Sequence, residues 1–358
     1  MLKRNLFFLL IVICFWGCEK SQLQNDDIKE VDPKEVRETL RIPDIEGFMT
    51  LKCDLHVHTV FSDGIVWPDV RVHEAWLQGY DAIAITDHIE YRPFINEVKG
   101  DHNESFKIAK IKADQLGLIV IKGSEITREK PFGHFNALFL TDSNPLEVRD
   151  SMEAIDIARR QGAVIQWNHP GRPDTKSIIF DVQKKMMAEN KIDMVEVFNR
   201  SEYYPVTFDW IDQYDLAPGA NSDIHDSLRI QYGEEKMSRP ITLVFVRDRT
   251  EQAIKEAIIA RRTAALFNNT VVAKHEWAEK LFWACVQYRI IPVNRNTAWI
   301  ELDNNSDIPF RVHHSGNVSV LLPAGKKVTV LYSIPGTLII DNIFTGSKMN
   351  LEVNIPLE

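Results

Sequence analysis

Between about residue 50 and residue 250, short β-rich runs alternate with stretches in which apolar residues recur at helical spacing. The runs predicted as strands are 51–58, 81–88, 117–127, 134–140, 162–170, 193–200, 217–225 and 241–248. The stretches predicted as helices are 68–78, 106–116, 147–161, 181–190 and 251–261. Because strands that alternate with helices form a parallel sheet, and this many units can close on themselves, the pattern predicts an α/β barrel over residues 48–272.

The pattern changes near residue 290. Residues 293–358 contain short β-rich runs separated by Asn, Gly, Pro and Ser, and they show no helical spacing. This part of the chain is therefore predicted to form a small all-β, sandwich-like C-terminal domain. The stretch 273–292 between the two parts is interpreted as a connecting helix.

The first eighteen residues have the features of an export signal. A positive segment precedes the apolar run 6–16, which is short for a membrane span, and Cys18 follows. The segment resembles a bacterial lipoprotein signal that is cleaved before the cysteine. Cys18 is therefore predicted to carry a lipid that holds an exported protein at a membrane, and residues 19–47 are predicted to form a polar tether. An uncleaved N-terminal anchor is the alternative.

Composition excludes several classes of protein. The chain has 358 residues, a formal net charge of −9 and four cysteines. Proteins that coat nucleic acid carry a basic surface, so a nucleic-acid partner is not expected. Four cysteines in so long a chain cannot form a disulfide framework, and Cys53 is predicted to be a buried small residue. Nothing in the sequence identifies a protein partner.

Residue types that bind metals fall at the ends of the predicted strands. They are His56, His58, Asp63, His88, Glu125, His134, His169, Asp223 and His225. In a barrel of this kind the strand ends meet at one mouth, and two residues at i and i+2 on a strand share a face. Imidazole and carboxylate ligands suit Zn, Mn or Fe. Nine candidates exceed one tetrahedral site, so two or three divalent ions are predicted.

Each of these residues also has a structural explanation when it is taken alone. Asp63 could cap the helix at residue 68 or hold a turn with Gly64, and Glu125 could pair with Arg128. Separate explanations for all nine residues are improbable together, which favours the metal site. The remaining histidines are interpreted as surface or structural residues: His73, His102, His275, His313 and His314.

Five motifs resemble those of the PHP (polymerase and histidinol phosphatase) phosphoesterase family, over roughly residues 50–250. They are D-L-H-V-H-T-x-F-S-D-G (54–64), I-T-D-H (85–88), G-S-E (123–125), N-H-P (168–170) and S-D-I-H (222–225). The whole chain is similar to exported phosphodiesterases of this family that carry a small C-terminal domain. The resemblance implies a distorted seven-stranded (β/α)7 barrel that holds three metal ions. In that family pattern, one ion would be bound by His56, His58, Glu125 and Asp223, a second by Glu125, His134 and His169, and a third by Asp63, His88 and His225.

The predicted reaction is metal-dependent hydrolysis of a phosphate ester, foremost a small organic phosphodiester. Closely spaced divalent ions lower the pKa of a bridging water, and the resulting hydroxide attacks phosphorus. His225 or Asp63 is expected to assist the departure of the leaving oxygen. Arg172 is predicted to contact the phosphate, because guanidinium matches phosphate geometry, and Arg128 and Arg200 are further candidates.

Three other functions remain open, and exonuclease activity is a lower-ranked alternative because the chain is acidic. A phosphomonoesterase that acts on a small phosphate or a nucleotide would use the same motifs. An amidohydrolase-type barrel also begins with His-x-His and hydrolyses C–N or C–O bonds, but the Lys or Glu it needs on the fourth strand is absent from residues 134–140. A non-enzymatic lipoprotein could bind metal, although that role does not require ligands at many strand ends beside an arginine.

Overall fold

The computed structural model describes residues 36–355 apart from 174, 234, 236, 315–317 and 334–335. The predicted signal at 1–18, the lipidation site Cys18 and residues 19–35 of the tether lie outside the described residues. Within the described part of the chain, no helix combines the length and the apolar character needed to cross a membrane.

The helices contain 8 to 13 residues, except for one shorter helix. They are α1 (Pro68–Leu77), α2 (Glu104–Leu116), α3 (Ser151–Arg160), α4 (Asp181–Ala188), α5 (Thr207–Tyr214), α6 (Leu228–Tyr232), α7 (Glu251–Ile259) and α8 (His275–Cys285), with a 3-10 turn at Asn144–Leu146. Their starts carry local signals. Pro68 occupies the first turn of α1, and the Asp150 carboxylate caps α3 by accepting backbone N–H groups from Met152 and Glu153.

The strands continue to the end of the described chain. They are β1 (Met49–Val57), β2 (Ala82–Ile85), β3 (Ile119–Thr127), β4 (His134–Leu138), β5 (Val164–Trp167), β6 (Met194–Asn199), β7 (Glu202–Tyr203), β8 (Ala217–Asn221), β9 (Ile241–Val246), β10 (Thr263–Phe267), β11 (Thr270–Ala273), β12 (Val286–Asn294), β13 (Thr297–Asn304), β14 (Phe310–His314), β15 (Val320–Leu322), β16 (Lys327–Ser333), β17 (Thr337–Gly346) and β18 (Met349–Asn354).

Seven of these strands form the predicted distorted barrel, in the order β1-β2-β3-β4-β5-β6-β8. An isolated parallel bridge between Val57 and Ile224 joins the end of β1 to the segment after β8, and this bridge closes the barrel. The pairs β1–β2, β2–β3, β5–β6 and β6–β8 are parallel, as expected. The fold prediction is thus confirmed, with one departure from the parallel arrangement.

The departure is β4, which is antiparallel to both of its neighbours, β3 and β5. Only residues 128–133 connect β3 to β4, and a parallel connection requires about a dozen residues or more. The short connection therefore forces a hairpin, in which Thr127 pairs with His134 and Glu125 pairs with Asn136. This hairpin brings His134 close to Glu125.

The chain after the barrel forms two further layers. β9 pairs antiparallel with the first half of β1, and β10 and β11 extend the sheet until β11 meets β17 in parallel. A second sheet, β12-β13-β16, lies apart from it. Inward residues such as Ile300 on β13, Val312 on β14 and Ile340 on β17 share one core. This β-rich C-terminal region agrees with the predicted sandwich-like domain.

The connecting helix is shorter than the predicted range 273–292. α8 ends at Cys285, and the chain continues directly as the strand β12. The segment 286–294 is rich in Val, Ile and Tyr, and Pro292 would interrupt a helix because it lacks a backbone N–H. The helix prediction is therefore wrong beyond residue 285.

Candidate metal centre

The two histidines of the first motif lie at the C-terminal end of β1, and both are fully buried. Their alternate spacing places them on one face, where Nε2 of His56 and Nε2 of His58 are 3.0 Å apart. Glu125 Oε2 is 3.3 Å from each of these nitrogens. Asp223 Oδ1 is 3.4 Å from that of His56 and 3.1 Å from that of His58. Four side chains from three separate parts of the chain thus face one point.

This arrangement fits a divalent ion. Ligand atoms about 2.0–2.1 Å from a tetrahedral zinc ion lie about 3.4 Å from one another, and the N···O separations here are 3.1–3.4 Å. The donors are imidazole nitrogens and carboxylate oxygens, which suit Zn, Mn or Fe.

Glu125 also faces a second group of potential ligands. Its other oxygen, Oε1, is 3.1 Å from Nδ1 of His134 and 3.5 Å from Nε2 of His169. The side chain of Asn168 donates a hydrogen bond of 3.0 Å to the same oxygen. The two oxygens of one carboxylate therefore point to two different groups, as a bridging ligand requires.

A third group forms around Asp63. Its Oδ1 atom is 3.2 Å from Nε2 of His225, 3.4 Å from Nε2 of His88 and 3.8 Å from Nδ1 of His58. This oxygen is buried and has no well-oriented hydrogen-bond donor. A cation would satisfy an acceptor in that position.

The groups in the described chain with metal-binding geometry contain all nine residues predicted as ligands. Two of these groups contain the second and third ligand sets that the family resemblance implies, whereas Asp223 is grouped with His56 and His169 and not with Glu125. The role of each residue as a ligand stays a prediction. The histidines interpreted as surface or structural residues lie outside these groups: His73, His102, His275, His313 and His314.

The pKa values reflect how closely the charges are packed in the metal-free protein. Burial by itself lowers the pKa of His58, but hydrogen bonds to Asp223 and Glu125 raise it to about 9. Burial opposes protonation of His56 too, and the same two carboxylates raise its pKa well above the ordinary value. Burial raises the pKa of Asp63, but His225 and other nearby histidines lower it to about 2. Protons thus occupy positions that a bound divalent ion would take over.

The loop after β1 is held in place by a carboxylate that the sequence analysis did not single out. Asp87 accepts hydrogen bonds from the backbone N–H of Thr59 and the hydroxyl of Ser62, both 2.7 Å long. Ser62 lies 3.3 Å from Nδ1 of His58. Gly64 packs so tightly that a Cβ atom there would lie 2.8 Å from the carbonyl carbon of His58. This packing fixes the position of Asp63, which lies between Ser62 and Gly64.

Two of the alternative explanations do not hold, the helix cap for Asp63 and the Arg128 pair for Glu125. The N-cap of α1 is Trp67, without a side-chain cap, so Asp63 does not cap that helix. Arg128 donates to Glu90 and not to Glu125.

A further residue missed by the sequence analysis is Glu196, which is fully buried on β6. Its Oε1 atom is 3.0 Å from Nδ1 of His56, and its Oε2 atom accepts the backbone N–H of His169 at 2.6 Å. The carboxylate thus holds one potential ligand by its ring and another by its backbone. An acidic residue in the middle of the apolar run 193–200 is the sequence signal that could have revealed it.

Three of the eleven non-glycine residues with positive φ angles in the described chain belong to this site. His169, Arg200 and Asp223 have positive φ angles of 23°, 52° and 47°, which non-glycine residues rarely adopt. Such conformations cost about 1–3 kcal/mol each and persist where the surroundings enforce them, commonly at functional sites.

A cavity of about 1100 Å³ opens over the cluster. The potential ligands that line it are Asp63, His88, Glu125, His134, His169, Asp223 and His225. The three arginines predicted as substrate contacts, Arg128, Arg172 and Arg200, line it as well. The cluster is therefore open to a molecule larger than water.

The arginines differ in what else they contact. Arg172 forms a two-point ion pair with Glu202, with Nε–Oε2 and Nη2–Oε1 distances of 3.2 and 3.0 Å. Arg200 reaches the cluster itself, with Nη2 2.6 Å from Nδ1 of His225 and Nε 3.3 Å from Oδ2 of Asp223.

Arg128 is held by bonds to groups outside the cluster. Besides Glu90, it donates to the carbonyl oxygens of Thr127 and Val148 at 2.8 and 3.0 Å. These bonds direct its guanidinium toward the protein, so Arg172 and Arg200 are better placed for a bound anion.

Comparisons with known proteins agree with the metal-binding character of this site. Residues 54–217 match the model of the PHP domain. A two-domain protein from Bacteroides vulgatus, containing a predicted PHP-like metal-dependent phosphoesterase, has a similar crystal structure with a TM-score of 0.84. It is 35% identical, and the match covers 90% of this chain and 99% of that one.

Two curated proteins show partial similarity. An uncharacterized protein from Methanocaldococcus jannaschii is 27% identical over 201 residues, which is 53% of this chain and 74% of that protein. A 5′-3′ exoribonuclease from Haemophilus influenzae is 35% identical over 79 residues, 22% of this chain and 24% of that protein. Since the likeness to the Bacteroides vulgatus protein spans nearly the whole of both chains, and the matched domain includes the first motif and most of the barrel, this chain belongs to the PHP-domain family.

Proposed function

We propose that the protein is a metal-dependent phosphoesterase and that it hydrolyses a small organic phosphodiester. The observation that carries the proposal is the convergence of nine imidazole and carboxylate side chains beneath a cavity that arginines also line. Membership of the PHP-domain family supports the same reaction class.

The proposed cofactors are two or three divalent ions, with Zn, Mn and Fe as candidates. Such ions, when bound, lower the pKa of water and neutralise the negative charge on phosphoryl oxygens. His56, His58, Glu125 and Asp223 would hold one ion, and the groups around His134 and Asp63 would hold the others. Glu125 would link the first two sites through its two oxygens.

The arginines of the cavity are proposed to bind and orient the phosphate. Glu202 holds the guanidinium of Arg172 at two points, so less side-chain entropy is lost when it meets an anion. Arg200 lies beside Asp223 and His225, where it is proposed to hold an ester oxygen next to the cluster. Asp63 and His225 face each other at 3.2 Å at the cavity. In a two-ion form that leaves the group around Asp63 without a metal, this pair is proposed to hold the proton that the leaving oxygen receives.

The size of the cavity favours a diester. Pockets for small molecules are commonly about 300–1,000 Å³, and this one is about 1100 Å³. A phosphate group alone would leave most of it to water, whereas two ester arms can use the space. Phosphomonoesterase activity is the competing proposal and is tested by the same assay.

The assay compares bis(p-nitrophenyl) phosphate with p-nitrophenyl phosphate in the presence of added Mn²⁺ or Zn²⁺. We expect faster turnover of the diester and more than one ion per chain by metal analysis. A higher kcat/KM for the monoester would contradict the diester proposal. Full activity of metal-stripped protein would contradict the mechanism.

Substitutions test which side chains the activity requires. Glu125→Ala and Asp223→Ala are each expected to abolish turnover, whereas Asp114→Ala, an exposed carboxylate on α2 paired with Lys110, should behave as wild type. Arg172→Ala is expected to lower kcat/KM at least tenfold, because a charge-assisted contact contributes about 1.5–3 kcal/mol. An unchanged rate in Arg172→Ala would remove this arginine from the site.

We also propose that the protein is exported and held at a membrane by a lipid on Cys18, outside the described residues. The proposal rests on the pattern of residues 1–18. Labelling with a radioactive fatty acid should mark the wild-type chain and not Cys18→Ser. Labelling of both chains, or of neither, would contradict it.

A further inference from the structure

Part of the cavity lining is apolar and comes from two loops. Pro131 and Phe132 belong to the β3–β4 hairpin loop, and Pro173, Ile178 and Phe180 belong to the segment between β5 and α4. These five residues are called the apolar wall below. They line the same cavity as the potential metal ligands.

The apolar wall exposes side chains that would be more stable out of water. Ile178 is 44% exposed, and both prolines are exposed as well. Phe132 is buried at 8% exposure and packs edge-on against Phe135, with ring centroids 5.1 Å apart. The wall thus has a fixed base in the core and an open apolar surface toward the cavity.

Hydrogen bonds hold the two loops together. Gln183, in the first turn of α4, is 1% exposed. Its Oε1 atom accepts the backbone N–H of Phe180 at 3.0 Å, and its Nε2 atom donates to the carbonyl oxygens of Pro131 and Phe132 at 2.6 and 2.5 Å. The Nζ atom of Lys130 donates to the carbonyl oxygen of Lys176 at 2.9 Å. The apolar surface therefore exists before any ligand binds.

The same segment carries the predicted phosphate contact. Arg172 immediately precedes Pro173 of the apolar wall, and His169 lies three residues before Arg172. Since Arg172, the cluster and the wall line one cavity, a molecule whose phosphate meets Arg172 and the cluster can place its ester arm along the wall.

We propose that the apolar wall binds an alkyl or aryl ester arm, so that the substrates are phosphodiesters with at least one apolar arm. The phosphodiester part of this statement rests on the proposed function. Removing one methylene from water completely corresponds to about a fourfold gain in binding. On a wall that stays partly open, we expect about a twofold gain in kcat/KM for each added methylene.

The test uses a series of alkyl p-nitrophenyl phosphodiesters, from methyl to hexyl, with the Mn²⁺-loaded protein. All members share one leaving group, so differences in kcat/KM report on the arm. Isothermal titration with methyl-, butyl- and hexylphosphonate gives a second readout that does not depend on turnover. We expect both kcat/KM and affinity to rise with chain length.

Variants show whether the apolar wall causes the trend. Ile178→Ser should flatten the dependence on chain length in both readouts, and Ile178→Leu should retain it. Ile111→Ser is the matched control, because Ile111 is an isoleucine on α2 that is 65% exposed and lies outside the cavity lining. This control should keep the rates and the trend of the wild type.

The outcomes separate the two proposals. Hydrolysis at one rate for all chain lengths would overturn the apolar-arm proposal and leave the phosphodiesterase proposal standing. A chain-length trend in phosphonate binding without hydrolysis of any ester would overturn the phosphodiesterase proposal and leave the binding of apolar arms to the wall standing. An unchanged trend in Ile178→Ser would overturn the assignment to the apolar wall.

Discussion

Glu196 holds His56 in the orientation that the candidate metal centre requires, and replacing it with glutamine tests that role. Its Oε1 atom lies 3.0 Å from Nδ1 of His56 and accepts from the side chain of Asn221 at 3.1 Å. Its Oε2 atom accepts from the backbone N–H of His169 and from the side chain of Asn199. A charged acceptor at Nδ1 keeps the proton there and leaves Nε2, which faces the cluster, as a ligand.

Glutamine keeps the shape of the side chain but presents an N–H group where an acceptor is needed. We expect Glu196→Gln to weaken metal binding about 10- to 100-fold, the usual cost of losing such a partner, or about 1.4–2.7 kcal/mol. The free energy of unfolding should fall by about 1–3 kcal/mol, because at least one buried donor loses its acceptor. Competition for Zn²⁺ against a chelating indicator measures the affinity, and urea unfolding of the metal-free protein measures the stability.

Asp193→Asn is the matched control. Asp193 is another buried carboxylate, three residues earlier in the chain, and it pairs with Arg159 at 2.6 Å while accepting the backbone N–H of Ile165. This variant should lose stability with no change in metal affinity. The reasoning would be refuted if Glu196→Gln bound zinc as tightly as the wild type. It would also be refuted if Asp193→Asn lost as much zinc affinity as Glu196→Gln.

Three further predictions concern stability and pH. Gly64→Ala should lower metal affinity about tenfold and stability by about 1–3 kcal/mol, because its Cβ atom would meet the backbone of His58; unchanged zinc titration and urea unfolding would contradict this. The pKa of His58 is about 9 in the folded, metal-free protein and about 6.5 when unfolded, so its contribution to stability is complete below pH 6.5 and is lost as the pH rises toward 9. The melting temperature of the protein in EDTA should therefore fall between pH 6.5 and pH 9, whereas that of the metal-loaded protein should stay constant. A melting temperature that rises with pH in EDTA would contradict the cause assigned to the raised pKa of His58. Arg239→Met should lower the free energy of unfolding by about 3 kcal/mol in urea, because the buried guanidinium lies 3.7 Å from Asp54 and its loss removes a countercharge from that buried carboxylate; wild-type stability would show that the pair contributes nothing.

Most of the candidate site could be predicted from the sequence, because its residues occupy repeated, readable positions. His56 and His58 share a face through the two-residue period of a strand, and His169, Asp223 and His225 follow apolar runs whose ends meet at one mouth. These relations depend on local geometry and on the direction of the strands, so they survive errors of a few residues in the strand boundaries.

Other features depend on partners far away in the chain. Glu196 meets His56 across 140 residues, and Gln183 joins Phe132 across 51 residues, so no local period reveals either contact. The short helix α5, the strands β10 and β11 and the true end of α8 were missed for a related reason: short apolar segments are assigned to helix or strand by what they pack against.

The sequence by itself determined the barrel class, the identity of the nine potential ligands and their order, since backbone periodicity and residue chemistry are local properties. The tertiary structure alone decided which ligand atoms face one another, that Glu125 points to two groups and that β4 runs antiparallel. It also placed an apolar wall beside the cluster. The physical reason is that these features depend on distances between side chains from separate strands and loops. Those distances are set only when the hydrophobic core brings the strands together.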